Sequence, residues 1–177
     1  MTIFDAVLLF VAVQRLAELM LAHNNTARLL RCGGFEVDRG GYKFIVALHI
    51  TWLASLYVAV PAAAAPYWPL LALFGALQAG RIWVIASLGQ RWTTRVIVLP
   101  GAPLVGHGLY RWLRHPNYLI VSVELAVLPL AFSAITIAIA FSACNGLLLA
   151  RRIKIEEAAL DLRSYHIRET QPRRNSL

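Results

Sequence analysis

The sequence predicts an all-α membrane protein with about five transmembrane helices, the last two closed into a short hairpin, as a single domain over residues 1–177. Composition is the first observation behind that class. Hydrophobic residues make up 59% of the chain and charged residues 15%, where a soluble domain carries about 25% charged residues, and the mean hydropathy is +0.61. The second observation is spacing: apolar stretches near the roughly 20 residues of a bilayer crossing recur along the chain. The third is the placement of 17 Lys and Arg against 9 Asp and Glu, a net charge of +8.

The first stretch, residues 2–22, follows a start with no basic leader and precedes no small-residue cleavage site. It is therefore expected to remain as a helix and not to leave as a signal peptide. Residues 43–60 and 67–88 form the second and third stretches. The fourth and fifth, residues 118–132 and 134–150, are short and separated by little more than Ser133. Pro129 and Ser133 can turn the chain there, which gives the hairpin. The division that follows is an N-terminal set of helices over residues 1–88 and a C-terminal part, residues 89–177, that begins with a long polar connection.

Basic residues sort by connection. Arg28, Arg31, Arg39 and Lys43 follow the first stretch, Arg91, Arg95, Arg111 and Arg114 the third. Arg151, Arg152, Lys154, Arg163, Arg168, Arg173 and Arg174 follow the fifth. The other connections have none. Five crossings with the N-terminus outside put every basic cluster and the C-terminus in the cytosol, as the positive-inside rule asks. The basic excess then reads as topology, and no zinc-finger, helix-turn-helix or RNA-binding signature supports a nucleic-acid partner. Cys32 and Cys144 lie far apart without the spacing of a metal site, so neither a disulfide framework nor a metal is expected.

Polar residues inside the apolar stretches need partners. Arg15 and Glu18 are an i, i+3 pair on one helix face. They either face the protein interior or a wet cavity, or neutralise each other near the inner interface. His49, Gln78 and Arg81 pose the same question, although a lone membrane histidine is more often a packing residue than a ligand. Trp52, Trp68, Trp83, Trp92 and Trp112 fall mostly near segment ends, which fits an aromatic belt.

Chemistry concentrates after the third stretch. Residues 89–117 hold Gly101, Gly106 and Gly108 with Pro100 and Pro103, which let the backbone turn tightly near a ligand. The connection ends in Arg114-His115-Pro116-Asn117-Tyr118. Pro116 suits a first helical position and leaves His115 near the N-cap, with the positive end of a helix dipole beyond it. Past the hairpin, Arg152 and Glu156 are an i, i+4 pair sharing a helix face. On its own that pair is a solvated juxtamembrane helix.

The order Leu104-Val105, Gly108-Leu109-Tyr110, Arg114-His115-Pro116-Asn117-Tyr118, a hairpin, then Arg152-Ile153-x-x-Glu156-Glu157 resembles the isoprenylcysteine carboxyl methyltransferase family and its bacterial relatives. The likeness covers roughly residues 96–160, and Gln14-Arg15-Leu16-Ala17-Glu18-Leu19 is similar to a segment of bacterial members. The resemblance implies an integral-membrane enzyme, multi-pass in a bacterial inner membrane, that uses S-adenosylmethionine to methylate an oxygen of a lipophilic acceptor. That acceptor would be a long-chain polyketide or a prenylcysteine-like molecule. The cofactor would meet a cytosolic loop of Ala102, Pro103, Leu104 and Val105, with Tyr110, His115, Pro116, Asn117, Tyr118 and Glu156. Ala102 and Pro103 replace polar residues of the family and would act through backbone. Arg152 would meet the substrate's anionic oxygen. The catalytic candidates are Arg152, Glu156 and Glu124, the last because a carboxylate two turns into a membrane helix is costly unless it faces a site. Two other classes compete: an NADPH-dependent reductase of a sterol-like lipid, which the cofactor that stabilises the protein would reveal, and a non-catalytic lipid-binding protein, which would bind neither cofactor.

Overall fold

The computed structural model describes residues 1–102 and 105–170. Five long helices account for most of them: α1 (Ile3–Arg31), α2 (Tyr42–Ala59), α3 (Trp68–Leu88), α4 (Pro116–Ala131) and α5 (Ile135–Thr170). Two two-residue strands, β1 (Phe35–Glu36) and β2 (Ile97–Val98), pair antiparallel with Phe35 opposite Val98. Short 3-10 helices at Gly89–Arg91 and Gly108–Arg111 punctuate the connection between α3 and α4.

Among the described residues three spans are long and apolar enough to cross a membrane: Tyr42–Ala59, Trp68–Arg91 and Ile135–Ala159. α4 is a shorter apolar helix. α1 is not among these spans, and its sequence carries Gln14, Arg15, Glu18, Asn24 and Asn25. It also runs nine residues past the apolar stretch expected for it, so much of the first polar connection is helix. α5 likewise continues through the basic run at Arg151 without a break; Arg173 and Arg174 lie outside the described residues.

Local chemistry explains the helix ends. α1 starts in a capping box, with Thr2 Oγ1 accepting from the Asp5 amide at 3.2 Å and Asp5 Oδ2 accepting from the Thr2 amide at 3.0 Å, which satisfies two otherwise orphaned donors. α3 stops at Gly89, whose φ of +52° suits a residue without a Cβ. α4 ends just past Pro129, and Ser133 at φ +61° makes the tight reversal into α5. Amides of Phe132 and Ala134 both bond the Pro129 carbonyl. The expected hairpin is present.

Packing centres on α4, which contacts α3 on one side and α5 on the other. Leu125, Leu128 and Val121 of α4 join Trp52 and Leu56 of α2, Phe74 of α3, and Phe4 and Val11 of α1 in one core. Phe4 meets Phe132 edge-on, ring centres 5.0 Å apart. The aromatic-belt expectation is corrected in part: Trp68, Trp83 and Trp112 are exposed, but Trp52 and Trp92 are core residues with 0% and 1% exposure. Asn25 pins α1 to the start of the α3–α4 connection, donating from Nδ2 to the carbonyls of Gly89 and Trp92.

Candidate active site

A cavity of about 900 Å³ lies between α1, α2, α3, α4, α5 and the connection from α3 to α4. At its mouth the backbone turns into α4. His115 is non-helical at φ −131° and ψ 61°, Pro116 takes the first helical position, and the amide of Tyr118 bonds the His115 carbonyl. That turn stacks the His115 ring on Tyr118, centres 5.3 Å apart and planes 15° off parallel. The Pro116 ring is buried and does not line the cavity, so its part is to fix the turn.

Tyr118 joins the two motifs. Its hydroxyl donates to Glu156 Oε2 at 2.5 Å and accepts from Arg152 Nε at 2.9 Å. Both α5 residues reach it because a spacing of four puts them on one helix face. Arg152 Nη2 donates to the Thr94 carbonyl at 2.7 Å, and only 6% of the arginine is exposed. Thr94 left no mark in the sequence because it acts through its backbone. Next to Tyr118, Asn117 has a buried Oδ1 without a hydrogen-bond partner, in a residue that lines the cavity.

The wall continues through Ala102, Val105 and Tyr110; Pro103 and Leu104 lie outside the described residues. Burial, then the charge of Glu156, pushes the Tyr110 phenol up to about 12, because both disfavour a second anion. At the rim, His115 Nε2 stands 3.6 Å from Glu157 Oε1 and Arg114 Nη1 3.7 Å from the same oxygen. Thus Ala102, Val105, Tyr110, His115, Asn117, Tyr118, Arg152 and Glu156 come together around one chamber.

Glu124 does not join them. It is 0% exposed and stands behind the wall in a charge network. Its Oε2 accepts from Arg15 Nη2 at 2.5 Å and Arg81 Nη1 at 3.2 Å, and its Oε1 from Gln78 Nε2 at 2.9 Å. Arg81 also forks onto Glu18, and Arg15 bonds Glu18 Oε2 at 3.1 Å. Of the two alternatives for Arg15 and Glu18, the structure shows the first: both line the cavity, where they also pair with each other. Two arginines and two glutamates from α1, α3 and α4 balance their charge out of water, each carboxylate receiving several donors. Asn145, a polar residue within an apolar run, was a signal left unread; it lines the cavity and donates to Ser122 Oγ at 3.1 Å.

The model of the isoprenylcysteine carboxyl methyltransferase (ICMT) family matches residues 70–162, from the first turns of α3 to past Glu156. The chain is also similar to the uncharacterized protein YpbQ of Bacillus subtilis (strain 168), 35% identical over 152 residues that cover 84% of this chain and 90% of that protein. No solved structure matches.

Proposed function

The chain belongs to the isoprenylcysteine carboxyl methyltransferase family, and from that premise we propose that it transfers a methyl group from S-adenosylmethionine to an oxygen of a lipophilic acceptor within a membrane. The observation that carries this is the Tyr118 hydroxyl held between Glu156 and Arg152 in the wall of a cavity that His115 and Asn117 also line. The donor set suits the cofactor. Asn117 Oδ1 is an acceptor lacking a donor, and with the Glu156 carboxylate it matches the ammonium and ribose hydroxyls of S-adenosylmethionine. Tyr110 and Tyr118 offer ring faces to a positive sulfonium.

Bound there, the cofactor supplies an electrophilic methyl carbon, and the transfer is an in-line displacement that depends mainly on alignment. The chain's part is therefore placement. Arg152 spends Nε on Tyr118 and one Nη2 hydrogen on Thr94, which leaves Nη1 to hold an acceptor oxygen by charge-assisted hydrogen bonds. Tyr118 fixes the distance between that guanidinium and Glu156. Glu124 acts through Arg15 and Arg81 as a positioning residue for the helices.

Basic clusters around the end of α1, in the connection after α3 and in the second half of α5 support an orientation with the cavity mouth and C-terminus in the cytosol and the N-terminus outside, in a bacterial inner membrane. The cofactor would enter from the aqueous side and the acceptor from the bilayer. Isothermal titration of the purified protein with S-adenosylhomocysteine tests the site: alanine at His115 or Glu156 is expected to weaken binding. Unchanged affinity in both variants would overturn the assignment.

A further inference from the structure

Arg152 is held by a carbonyl that has a support of its own. Arg152 Nη2 donates to the Thr94 carbonyl oxygen at 2.7 Å. That carbonyl and the Arg95 amide belong to one rigid peptide plane, so whatever pins Arg95 also aims the oxygen. Two contacts from the far side of the chain pin the Arg95 side chain. Its Nη1 donates to Glu36 Oε2 at 2.9 Å, and its guanidinium lies 4.7 Å from the centre of the Tyr42 ring. Within the segment, Thr93 Oγ1 donates to the Arg95 carbonyl at 2.6 Å.

Strand register brings Glu36 to Arg95. Glu36 stands opposite Ile97 in the β1–β2 ladder, and Arg95, two positions before Ile97, is its diagonal neighbour on the same face. The Val37 amide extends the ladder onto the Val96 carbonyl at 3.0 Å. A two-stranded ladder is marginal by itself, so side chains must help to hold this one. The Glu36 side chain is 6% exposed and that of Arg95 39%. Glu36 Oε1 is buried without a hydrogen-bond partner, and Arg95 is therefore what offsets the cost of taking the carboxylate out of water. The same connection also grips α5 beside Arg152: Asp38 Oδ1 accepts from the Gly41 amide at 3.0 Å and from Arg151 Nη2 at 3.3 Å. Asp38 and Arg151 leave no room for a Cβ on Gly41, so the connection is closely packed there.

We propose that Glu36 is a positioning residue for the methyl transfer, acting through Arg95 and the Thr94 carbonyl on the guanidinium of Arg152. The inference rests on the proposed function, in which Arg152 Nη1 holds an acceptor oxygen, and adds to it a residue that does not line the cavity. Nη1 and Nη2 lie in one guanidinium plane, so a turn of one moves the other. Tyr118 fixes that plane at Nε and Thr94 at Nη2. Without Glu36 the second hold loosens, and the arginine keeps its charge but loses its aim. Aim is what an in-line displacement depends on.

The test uses the full chain in detergent micelles. Glu36→Leu keeps the bulk and removes both acceptor oxygens, while Glu36→Gln leaves Arg95 one of them. Three quantities are measured: affinity for S-adenosylhomocysteine, kcat/KM for methyl transfer to S-farnesylcysteine and to dodecylphenol, and the guanidinium nitrogen-15 NMR signals of Arg152, assigned by their loss in Arg152→Lys. Glu36→Leu is expected to bind S-adenosylhomocysteine like the wild type and to methylate about tenfold to hundredfold more slowly. Its separate Nη1 and Nη2 signals should merge into one exchange-averaged line. Glu36→Gln, gentler on the fold, should fall between Glu36→Leu and the wild type in rate and line shape. In an Arg152→Ala chain, Glu36→Leu should bring no further loss of rate, because a residue acting through Arg152 has nothing left to position. Wild-type rates with separate Nη signals in either variant, or the full loss repeated in the Arg152→Ala chain, would overturn the role of Glu36 while leaving the methyltransferase standing. Absence of S-adenosylhomocysteine binding in the wild-type protein would overturn the methyl transfer and this role with it.

Discussion

Arg81 of α3 grips Glu18 of α1 through two parallel hydrogen bonds, Nε to Oε1 at 2.5 Å and Nη2 to Oε2 at 2.6 Å. The arginine side chain is 6% exposed and that of the glutamate 8%, so neither charge has water to fall back on. Arg81 also reaches Glu124, so like Arg15 it serves both carboxylates. Arg81→Ala is therefore expected to destabilise the protein by about 3–5 kcal/mol, the cost of leaving a buried charge without its partner. Arg81→Lys restores the charge but not the fork, and should recover only part of the loss. Thermal unfolding in detergent measures both.

Arg152 is expected to serve the acceptor more than the cofactor. Arg152→Ala should lower kcat/KM for a methyl acceptor by about 10²–10³-fold, the usual loss on removing one donor from a developing or resident oxyanion. Affinity for S-adenosylhomocysteine should fall far less. Calorimetry and a radiolabelled methyl-transfer assay separate the two effects, and an equal fall in both would place Arg152 in cofactor binding instead.

Glu156 should behave in the opposite way. A hydrogen bond to a charged group contributes about 1.5–3 kcal/mol, so Glu156→Gln is expected to weaken S-adenosylhomocysteine binding roughly ten- to hundredfold. Tyr118→Phe, which removes the hydroxyl held by Glu156 and Arg152, should leave the helix intact and lower the rate by misplacing both partners. Its tell-tale is a circular dichroism spectrum like that of the wild type alongside reduced turnover.

Tyr110 gives the protein a pH dependence with a definite sign. Its phenol is raised from 10.0 to about 12 in the folded chain, so the folded state holds that proton where the unfolded chain releases it. The associated stability is complete below pH 10 and is lost as pH rises from 10 toward 12. Melting temperature should therefore fall over that interval. Tyr110→Phe should flatten the decline.

Gly108 sets the turn that carries Tyr110. Its φ is +63°, and a Cβ there would stand 2.4 Å from Ser87 Oγ. Gly108→Ala is expected to cost about 1–2 kcal/mol from the left-handed backbone alone, with the clash added. Ser87→Ala in the same chain removes the clash and not the backbone cost, so the double variant should recover only part of the stability, as unfolding curves would show.

Five helices and the hairpin were legible in the sequence because apolar length and Pro129-Ser133 are local signals. His115 at the mouth of α4 was legible too, since Pro116 dictates the residue before it. Helix ends were less so: α1 runs on to Arg31 because its polar last turns meet partners such as Gly89 and Trp92, far away in the chain. Asn145 and Thr94 were missed for related reasons. One acts from an apolar run and the other through a carbonyl.

Glu124 marks the boundary between the two sources of information. Its cost in an apolar helix was evident from the sequence, and that cost demanded a partner or a site. Which of the two it had depended on whether Arg15, 109 residues away, and Arg81, 43 residues away, came within hydrogen-bonding distance. Local pattern determined the apolar segments, the sorting of basic charge and the Arg152–Glu156 helix face, because each depends on residues a few positions apart. Tertiary packing alone decided that Tyr118 bridges that face, that Glu124 stands behind the cavity, and that His49 opens into it. Electrostatic partners are chosen by distance in space, and a one-dimensional pattern shows only that a partner is owed.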